Sequence, residues 1–232
     1  MADFKLFGGT NPKHIDKDDS VAVIGLGRFG QALALELMAA GAEVLAVEEN
    51  GEIVQQFNGL VTHVVRADAT NEESMRELGI NDFSRVVVCV GTDIESSILI
   101  ASMLVKFGVT RIWAKAVSDA HGTILDQLGI RNVIHPEQAM GRRVAHMVRG
   151  DMLDYIEIAD GYSVIKTRPH KTMAGRSFSE ICSDDPHGVR VAAFQRDGGE
   201  WEYPTDSTVF HDDDVLIITG PTKAAERFAG EG

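Results

Sequence analysis

Four junctions in the first part of the chain repeat one pattern, in which a helical stretch ends at a glycine and an apolar stretch follows. They are Ala40-Gly41-Ala42, Leu78-Gly79-Ile80, Phe107-Gly108-Val109 and Leu128-Gly129-Ile130. Glycine supplies the left-handed backbone conformation that closes a helix and turns the chain back. Helices that alternate in this way with apolar strands indicate βαβ units and a parallel sheet. Glycines scattered through loops are the alternative.

Short apolar runs supply the strands that such units need. They predict strands over residues 20–25, 43–48, 63–65, 85–90, 110–116 and 132–134. The stretch 28–40 carries leucines among alanines and predicts an amphipathic helix after the first strand. We therefore expect an α/β fold with a Rossmann-like parallel sheet over residues 20–136, preceded by a tail of residues 1–19.

The pattern changes after residue 134. His135-Pro136-Glu137 is typical of a helix start, because proline suits the first helical position and an acid suits the first turn. The helix is expected to continue to about Arg149 and to carry a methionine and valine stripe that self-association would cover. Strands are predicted at 153–159, 163–167, 190–196 and 215–219, and helices at 177–182 and 222–228. These elements predict a crossover helix over 137–151 and a second, small α+β domain over 152–232.

The charge of the chain limits its partners. It has 35 acidic and 22 basic residues, a formal net charge of −13, and no cluster of basic residues, so we expect no nucleic-acid partner. A ligand that carries phosphate would have to be held by backbone groups and a few arginines. The sequence also shows no membrane-length apolar run, no secretory signal and no cysteine framework, and thus predicts a reduced, cytoplasmic protein.

Residues 25–30 read Gly-Leu-Gly-Arg-Phe-Gly, a G-x-G-x-x-G between the first strand and the first helix, and Glu48 ends the second strand. This context is typical of a nucleotide or dinucleotide site. Gly25 permits a tight turn, Gly27 lets the backbone approach phosphate, and Gly30 lets the helix pack on the strand. Helix N–H groups would face the phosphate, and Glu48 would accept hydrogen bonds from ribose and disfavour NADP. A turn that binds nothing is the alternative.

Other side chains at the same sheet edge complete the predicted site. The guanidinium of Arg28 could reach a terminal phosphate, of its own site or of a neighbour's, or could be solvated at the surface. Two loops follow the third and fourth strands and should line the nucleotide. They contain Asp68, Ala69 and Thr70, and Gly91 and Thr92, respectively. Asp68 and Thr70 could instead, or in addition, cap the helix that begins near Asn71.

No catalytic motif accompanies this site. The eight histidines, among them His121 and His135, occur singly and are interpreted as surface or core residues. There is no H-E-x-x-H, G-x-S-x-G or lysine motif. The run Asp212-Asp213-Asp214 is interpreted as a solvated turn rather than a metal site. We therefore expect a protein that is not an enzyme.

Five short motifs follow one another in a familiar order. They are V-I-G-L-G-R-F-G at 23–30, A-V-E at 46–48, R-A-D-A-T at 66–70, I-W-A-K-A at 112–116 and I-H-P-E at 134–137. With the crossover helix and the small second lobe, they resemble the RCK, or KTN, proteins, which are cytosolic regulatory subunits of Ktr and Trk potassium transporters. The resemblance extends over residues 20–232 and is looser in the second lobe.

This resemblance implies a function. Dimers would assemble into an octameric ring beneath a membrane-embedded potassium-translocating subunit, peripheral to the inner face of the cell membrane. ATP and ADP would compete for the Rossmann site, change the shape of the ring and so gate the transporter. The implied nucleotide-binding residues are Gly25, Gly27, Phe29 and Gly30 in the phosphate loop, Arg28 at the terminal phosphate, Glu48 at the ribose, Asp68, Ala69 and Thr70 at the adenine, and Gly91, Thr92 and Lys115 nearby.

The resemblance also implies a cation site. Glu137, in the H-P-E motif, would help to bind a divalent cation, magnesium or calcium, between subunits. A favourable interaction with the dipole of its own helix explains the same acid without a metal.

Two departures limit what the resemblance implies. Glu48 is longer than the aspartate usual in the family, which would shift the ribose contact. Residues 181–188 are acidic and lack the arginine of members that bind cyclic di-AMP, so binding of that ligand is expected to be weak or absent. A Trk-type regulator that responds to NAD and NADH is the alternative function, and a small NAD-dependent oxidoreductase is a further one.

Overall fold

The computed structural model describes residues 20–150, 152–170, 173, 175–183 and 188–230. The chain forms two compact units, Met1–Pro136 and Glu137–Gly232. The predicted tail of residues 1–19 lies outside the described residues, and so do residues 184–187 of the acidic segment 181–188 (the acidic loop).

The first unit contains a six-stranded sheet in which every strand pairs in parallel. The strands are β1 (Ser20–Ile24), β2 (Glu43–Glu48), β3 (His63–Arg66), β4 (Arg85–Val88), β5 (Arg111–Lys115) and β6 (Asn132–Ile134). The helices are α1 (Arg28–Ala39), α2 (Gly51–Phe57), α3 (Glu72–Glu77), α4 (Ile94–Lys106) and α5 (Asp119–Gln127). The strand order β3-β2-β1-β4-β5-β6 confirms the predicted Rossmann-like sheet. The order reverses between β1 and β4, and ligands of such sheets bind beside that point, at the carboxyl ends of the strands.

The glycine junctions have the expected conformation. Gly41 and Gly129 have φ angles of +85° and +91°, which close α1 and α5, and Gly79 and Gly108 are also at positive φ. One junction differs from the prediction, because a 3-10 turn over Ile80–Asp82, and not a strand, follows Gly79. The buried side chain of Ile80 explains its apolar character there.

Both faces of the parallel sheet are buried, which explains why its strands are continuously apolar. Ala22 and Ile24 of β1 contribute to the core on one face, and Val21 and Val23 contribute to the core on the other. All four are at most 4% exposed. The alternation of side chains along a strand therefore fixes the register of β1 between two layers of helices.

The second unit is built on a five-stranded sheet of order β10-β9-β11-β8-β7, in which every pair is antiparallel. Its strands are β7 (Asp154–Ala159), β8 (Tyr162–Thr167), β9 (Arg190–Gln195), β10 (Trp201–Glu202) and β11 (Val215–Pro221). The helices α6 (Pro136–Arg149), α7 (Phe178–Ser183) and α8 (Thr222–Gly230) accompany it. This confirms the predicted small α+β fold. In the part of the chain that is described, no helix is both long and apolar enough to cross a bilayer.

The apolar stripe of α6 is divided between two environments. Met147 packs against the core of the second unit. Met140, Val144 and Val148 are instead 53%, 42% and 80% exposed. The helix thus presents an apolar surface that the described residues of one chain leave open.

Asp214 corrects the interpretation of residues 212–214 as a solvated turn. Asp212 and Asp213 are exposed, but Asp214 is only 1% exposed. Its two oxygens accept hydrogen bonds of 2.9 Å each from Nε and Nη2 of Arg196. The backbone N–H of His211 donates a third bond, of 2.9 Å. The run is therefore asymmetric, with two solvated acids and one buried carboxylate, paired with the partly exposed Arg196, that fixes the turn before β11.

The Asp214 pair generates a prediction about acid stability. The hydrogen bonds from Arg196 and then from His211 hold the pKa of Asp214 below its usual range, despite its burial. A carboxyl group with a lowered folded pKa stabilises the fold above its unfolded pKa, and this contribution is lost as the pH falls below about 4. Asp214→Asn should destabilise the second unit by about 2 kcal/mol at pH 7 and remove this part of the acid dependence.

Thermal unfolding between pH 7 and pH 3 measures the effect. Asp213→Asn is the matched control, because that side chain is 90% exposed and its ion pair with Arg168 spans 3.9 Å. Equal melting temperatures for the two variants at pH 7 would contradict the assignment.

Candidate functional site

The glycine-rich turn joins β1 to α1 through an unusually close backbone contact. Gly25 has a φ of +91°, and its N–H donates to the carbonyl of Val47 over 2.8 Å. A Cβ added at Gly30 would lie 2.0 Å from the carbonyl oxygen of Gly25. Real Cβ atoms do not approach oxygen so closely, so only glycine lets α1 begin at this point. The turn therefore places the start of α1 directly above the end of β1.

The amino end of α1 is open to a ligand. Gly27 is the N-cap and offers no side chain, and the first turn contains no acid. A Cβ at Gly27 would meet no atom within 4 Å. Because the first N–H groups of a helix have no intrahelical acceptor, they are available to an anion. The geometry is that of a phosphate site made of backbone.

Glu48 holds the turn from the side of β2. Its Oε2 accepts a hydrogen bond of 2.6 Å from the N–H of Leu26, and its Oε1 accepts one of 2.9 Å from the N–H of Asn50. Each oxygen keeps a further lone pair for a ribose hydroxyl. One carboxylate thus bridges the loops after β1 and β2, a contact that the motif alone does not reveal.

Lys115 lies near two other predicted site residues, Phe29 and Gly91. Its Nζ lies 6.0 Å from the centre of the Phe29 ring. It also lies 3.5 Å from the position that a Cβ on Gly91 would occupy. Burial raises the pKa of the neighbouring Cys89 thiol to about 12, and the charge of Lys115 only partly opposes that rise. Lys115 therefore places a cation beside the glycine-rich turn, next to a thiol that stays protonated.

Arg28 and Thr92 lie at the surface of this unit. Arg28 is exposed in the first turn of α1, and no described residue forms an ion pair with it. Thr92 is exposed, and the next residue, Asp93, caps α4 by accepting from the N–H of Ser96 over 3.2 Å. Arg28 is thus free to follow a ligand that protrudes from the turn.

The loop after β3 forms its own turn. Asp68 Oδ1 accepts hydrogen bonds from the N–H and the hydroxyl of Thr70, over 2.8 and 2.6 Å, and these bonds lower the pKa of Asp68. Ala69 lies between them, half-buried. The cap of α3 is Asn71, which accepts from the N–H of Ser74 over 3.0 Å. The alternative in which Asp68 and Thr70 cap that helix is therefore wrong.

Two histidines that occur singly in the sequence are neighbours in the fold. His121 is 1% exposed, and its Nδ1 accepts from the N–H of Val117 over 3.4 Å. A Cβ on Gly122 would lie 2.9 Å from Cε1 of His135. Burial lowers the pKa of His121, and His135 lowers it further. His121 is thus a neutral core residue at the carboxyl end of the sheet. The sequence, in which the histidines occur singly, does not show that His121 and His135 are neighbours.

Glu137 lies in the first turn of α6, in the second unit, and is exposed. The described residues contain no cluster of three or more histidine, cysteine or acidic side chains that could hold a metal. A cation shared between subunits would take ligands from more than one chain, so its assignment to Glu137 stays a prediction.

A parallel sheet of this order, with a glycine-rich turn after β1 and an acid at the end of β2, defines the Rossmann type of nucleotide-binding fold. The TrkA-N domain model matches residues 21–136. Ktr system potassium uptake protein A of Bacillus subtilis (strain 168) is 34% identical over 217 residues, which cover 93% of this chain and 98% of that protein. The chain therefore belongs to the TrkA-N domain family, and the resemblance drawn from its motifs is confirmed.

Two solved structures share the fold. The GsuK RCK domain has a TM-score of 0.63 and 16% identity, over 92% of this chain and 48% of that one. The GsuK channel bound to NAD has a TM-score of 0.63 and 16% identity, over 92% of this chain and 40% of that one. The present chain thus spans less than half the length of these structural neighbours.

The second and third glycines of the turn, Gly27 and Gly30, should respond differently to the same substitution. Gly30→Ala introduces a backbone clash and should cost at least about 3 kcal/mol of folding free energy. Gly27→Ala has open space and a φ of −65°, so it should cost about 1 kcal/mol at most. Denaturant unfolding of the two variants and the wild type measures both values. A Gly30→Ala protein as stable as Gly27→Ala would show that α1 does not depend on the contact.

Proposed function

We propose that the chain is a cytosolic, nucleotide-sensing regulatory subunit of a membrane potassium transporter, and that ATP and ADP compete for its Rossmann site. The observation that carries the proposal is the open amino end of α1 beside Glu48 and Lys115. It lies in a chain related along 93% of its length to a Ktr system potassium uptake protein. Calorimetric titration of the chain with ATP and ADP tests it, and the absence of binding by either would reject it.

The site suits a nucleotide in spite of the acidity of the chain. The N–H groups at the start of α1 would hold the phosphates, and the positive end of the helix dipole favours anions there. Glu48 would accept from ribose, and the turn of Asp68 to Thr70 would frame the adenine beyond β3. Lys115 and Arg28 would add positive charge beside the phosphates. The whole-chain charge of −13 therefore opposes polyanions without excluding one small ligand.

Nucleotide exchange would act on the transporter through two states of the assembly. A ligand shifts such an equilibrium only by its difference in affinity for the two states. The γ-phosphate distinguishes ATP from ADP, and the exposed Arg28 would meet it. The chain would thus be regulatory rather than enzymatic.

NAD and NADH are the alternative ligands, because a carboxylate after β2 suits either ribose and because one structural neighbour is the GsuK channel bound to NAD. A competition titration of ATP, ADP, NAD and NADH on one sample decides between the two kinds of sensor. A small oxidoreductase would instead need a proton-transfer group near the nicotinamide. Hydride transfer to any member of a broad substrate panel would support that rival.

Three further parts of the proposal concern assembly. Dimers would form an octameric ring that docks on the membrane-embedded potassium-translocating subunit, which would place the chain at the inner face of the cell membrane. Glu137 would bind a divalent cation, magnesium or calcium, at a subunit interface beside the nucleotide. Cyclic di-AMP is expected to bind weakly or not at all, because the residues of the acidic loop offer its phosphates no arginine.

Arg28 should discriminate between the two nucleotides. Arg28→Ala removes a charge-assisted contact to the γ-phosphate and should weaken ATP about tenfold, while ADP should change by less than about threefold. Arg131→Ala is the matched control. Arg131 is exposed just before β6, at the amino ends of the strands, whereas the glycine-rich turn lies at their carboxyl ends. Calorimetry with both ligands gives the ratio. Equal losses of ATP and ADP affinity would remove Arg28 from this role.

Self-association should depend on the open stripe of α6. Val148→Asp places a charge on a side chain that is 80% exposed and should lower the mass of the assembly in solution without unfolding the chain. Leu60→Asp is the control, because Leu60 is 52% exposed on the first unit. Light scattering with and without nucleotide reports the masses. A wild-type monomer under every condition would contradict the ring.

A further inference from the structure

Gln31 holds two consecutive carbonyl groups of the glycine-rich turn. It follows Gly30 in α1, and its backbone N–H donates to the carbonyl of Gly27 over 2.9 Å. Its side-chain Nε2 donates to the carbonyl of Leu26 over 2.8 Å. The first bond is an ordinary helical one, whereas the second ties the chain before the helix to a side chain within it. Gln31 thus orients both peptide groups that lead into α1.

The orientation of a carbonyl determines the orientation of the next N–H. A trans peptide is planar, so its C=O and N–H point in opposite directions, and the described chain contains no cis peptide bond. With the carbonyls of Leu26 and Gly27 directed at Gln31, the N–H groups of Gly27 and Arg28 point away from the helix. Gly27 has open space beside it. Gln31 therefore aims two donors at the place where an anion would bind.

The Leu26 residue is held from two sides. Glu48 accepts its N–H over 2.6 Å, while Gln31 donates to its carbonyl over 2.8 Å. Leu26 is itself fully buried, so it cannot turn without leaving the core. Of the two polar contacts, the Glu48 carboxylate would also accept from ribose, whereas the Gln31 amide would act on the phosphate side alone.

We propose that Gln31 is a positioning residue for nucleotide phosphates. It touches no ligand. Its side chain pre-orders the N–H group of Gly27, beside the Arg28 N–H that the main chain of the helix already orders, so that binding does not have to order it. This role rests on the proposed nucleotide function, and it adds a residue that lies outside the G-x-G-x-x-G pattern. A fixed donor pair lowers the entropic cost of binding an anion.

Gln31→Met tests the role, because it keeps the length of the side chain and removes the amide donor. ATP and ADP should bind about two- to tenfold more weakly, the loss expected for one neutral hydrogen bond, while adenosine should bind as it does to the wild type. Gln56→Met is the matched control, since Gln56 is exposed in α2. Gln31→Glu keeps the shape and should lose more ATP affinity than Gln31→Met, because its carboxylate repels both the carbonyl and the phosphates.

The order of the backbone amides in the glycine-rich turn tests the positioning role without any ligand. In the nucleotide-free protein, Gln31→Met should lower the NMR order parameter of the Gly27 N–H, whose peptide loses its side-chain bond, and leave those of α4 unchanged. ATP affinity equal to that of Gln56→Met would overturn the inference, and so would equal losses for ATP and adenosine, which indicate a merely structural role. A wild-type chain that bound no nucleotide would reject the proposed function and, with it, this role. Wild-type binding with an unaffected Gln31→Met rejects the role of Gln31 alone.

Discussion

The contact of Gly30 with the carbonyl of Gly25 determines where α1 begins, and much of the first unit depends on it. A Cβ at residue 30 would lie 2.0 Å from that oxygen, so the helix can approach the strand only without one. This approach places the amino end of α1 at the carboxyl end of β1, beside the point at which the strand order reverses. Because Gly30 has no side chain, the crevice of the sheet, the positive end of the helix dipole and the free N–H groups of α1 lie at the same place.

The negative charge of the chain becomes informative when it is compared with individual sites. Glu48 of β2 accepts hydrogen bonds from the backbone of two loops, and Asp214 accepts them from Arg196 and from the turn before β11. The charge of Asp214 is balanced by the Arg196 guanidinium, whereas Glu48 keeps its charge beside the turn and is held there by neutral N–H donors. Lys115 and Arg28 lie at that turn. On the proposed function, these local groups would matter more to the ligand than the charge of −13, because exposed charges farther than about 8 Å away are screened at physiological salt.

The elements of the fold could be predicted because their signals are local. Apolar runs, the glycines of the four junctions and Pro136 at a helix start each act within a few residues, and the structure has the parallel sheet and the small α+β unit that they indicate. The features that the sequence did not reveal share a different cause. The 3-10 turn at Ile80, the burial of Asp214 and the proximity of His121 to His135 depend on partners distant in sequence or on packing. Identical neighbouring letters, as in Asp213 and Asp214, cannot show which one meets an arginine.

The same distinction applies to the site. The glycine pattern indicates where phosphates would bind, but it does not show that Glu48 and Gln31 hold the peptide groups of Leu26 from opposite sides. On the proposed function, the backbone donors of this turn would contact the phosphates that ATP, ADP and NAD have in common. Such donors give affinity without discrimination. Discrimination must then come from side chains that reach beyond the shared phosphates, and an exposed cation such as Arg28 can change without disturbing the turn. In a sensor of this kind, backbone donors bind the ligand and exposed side chains discriminate between ligands, so the ligand preference can be altered while the fold is preserved.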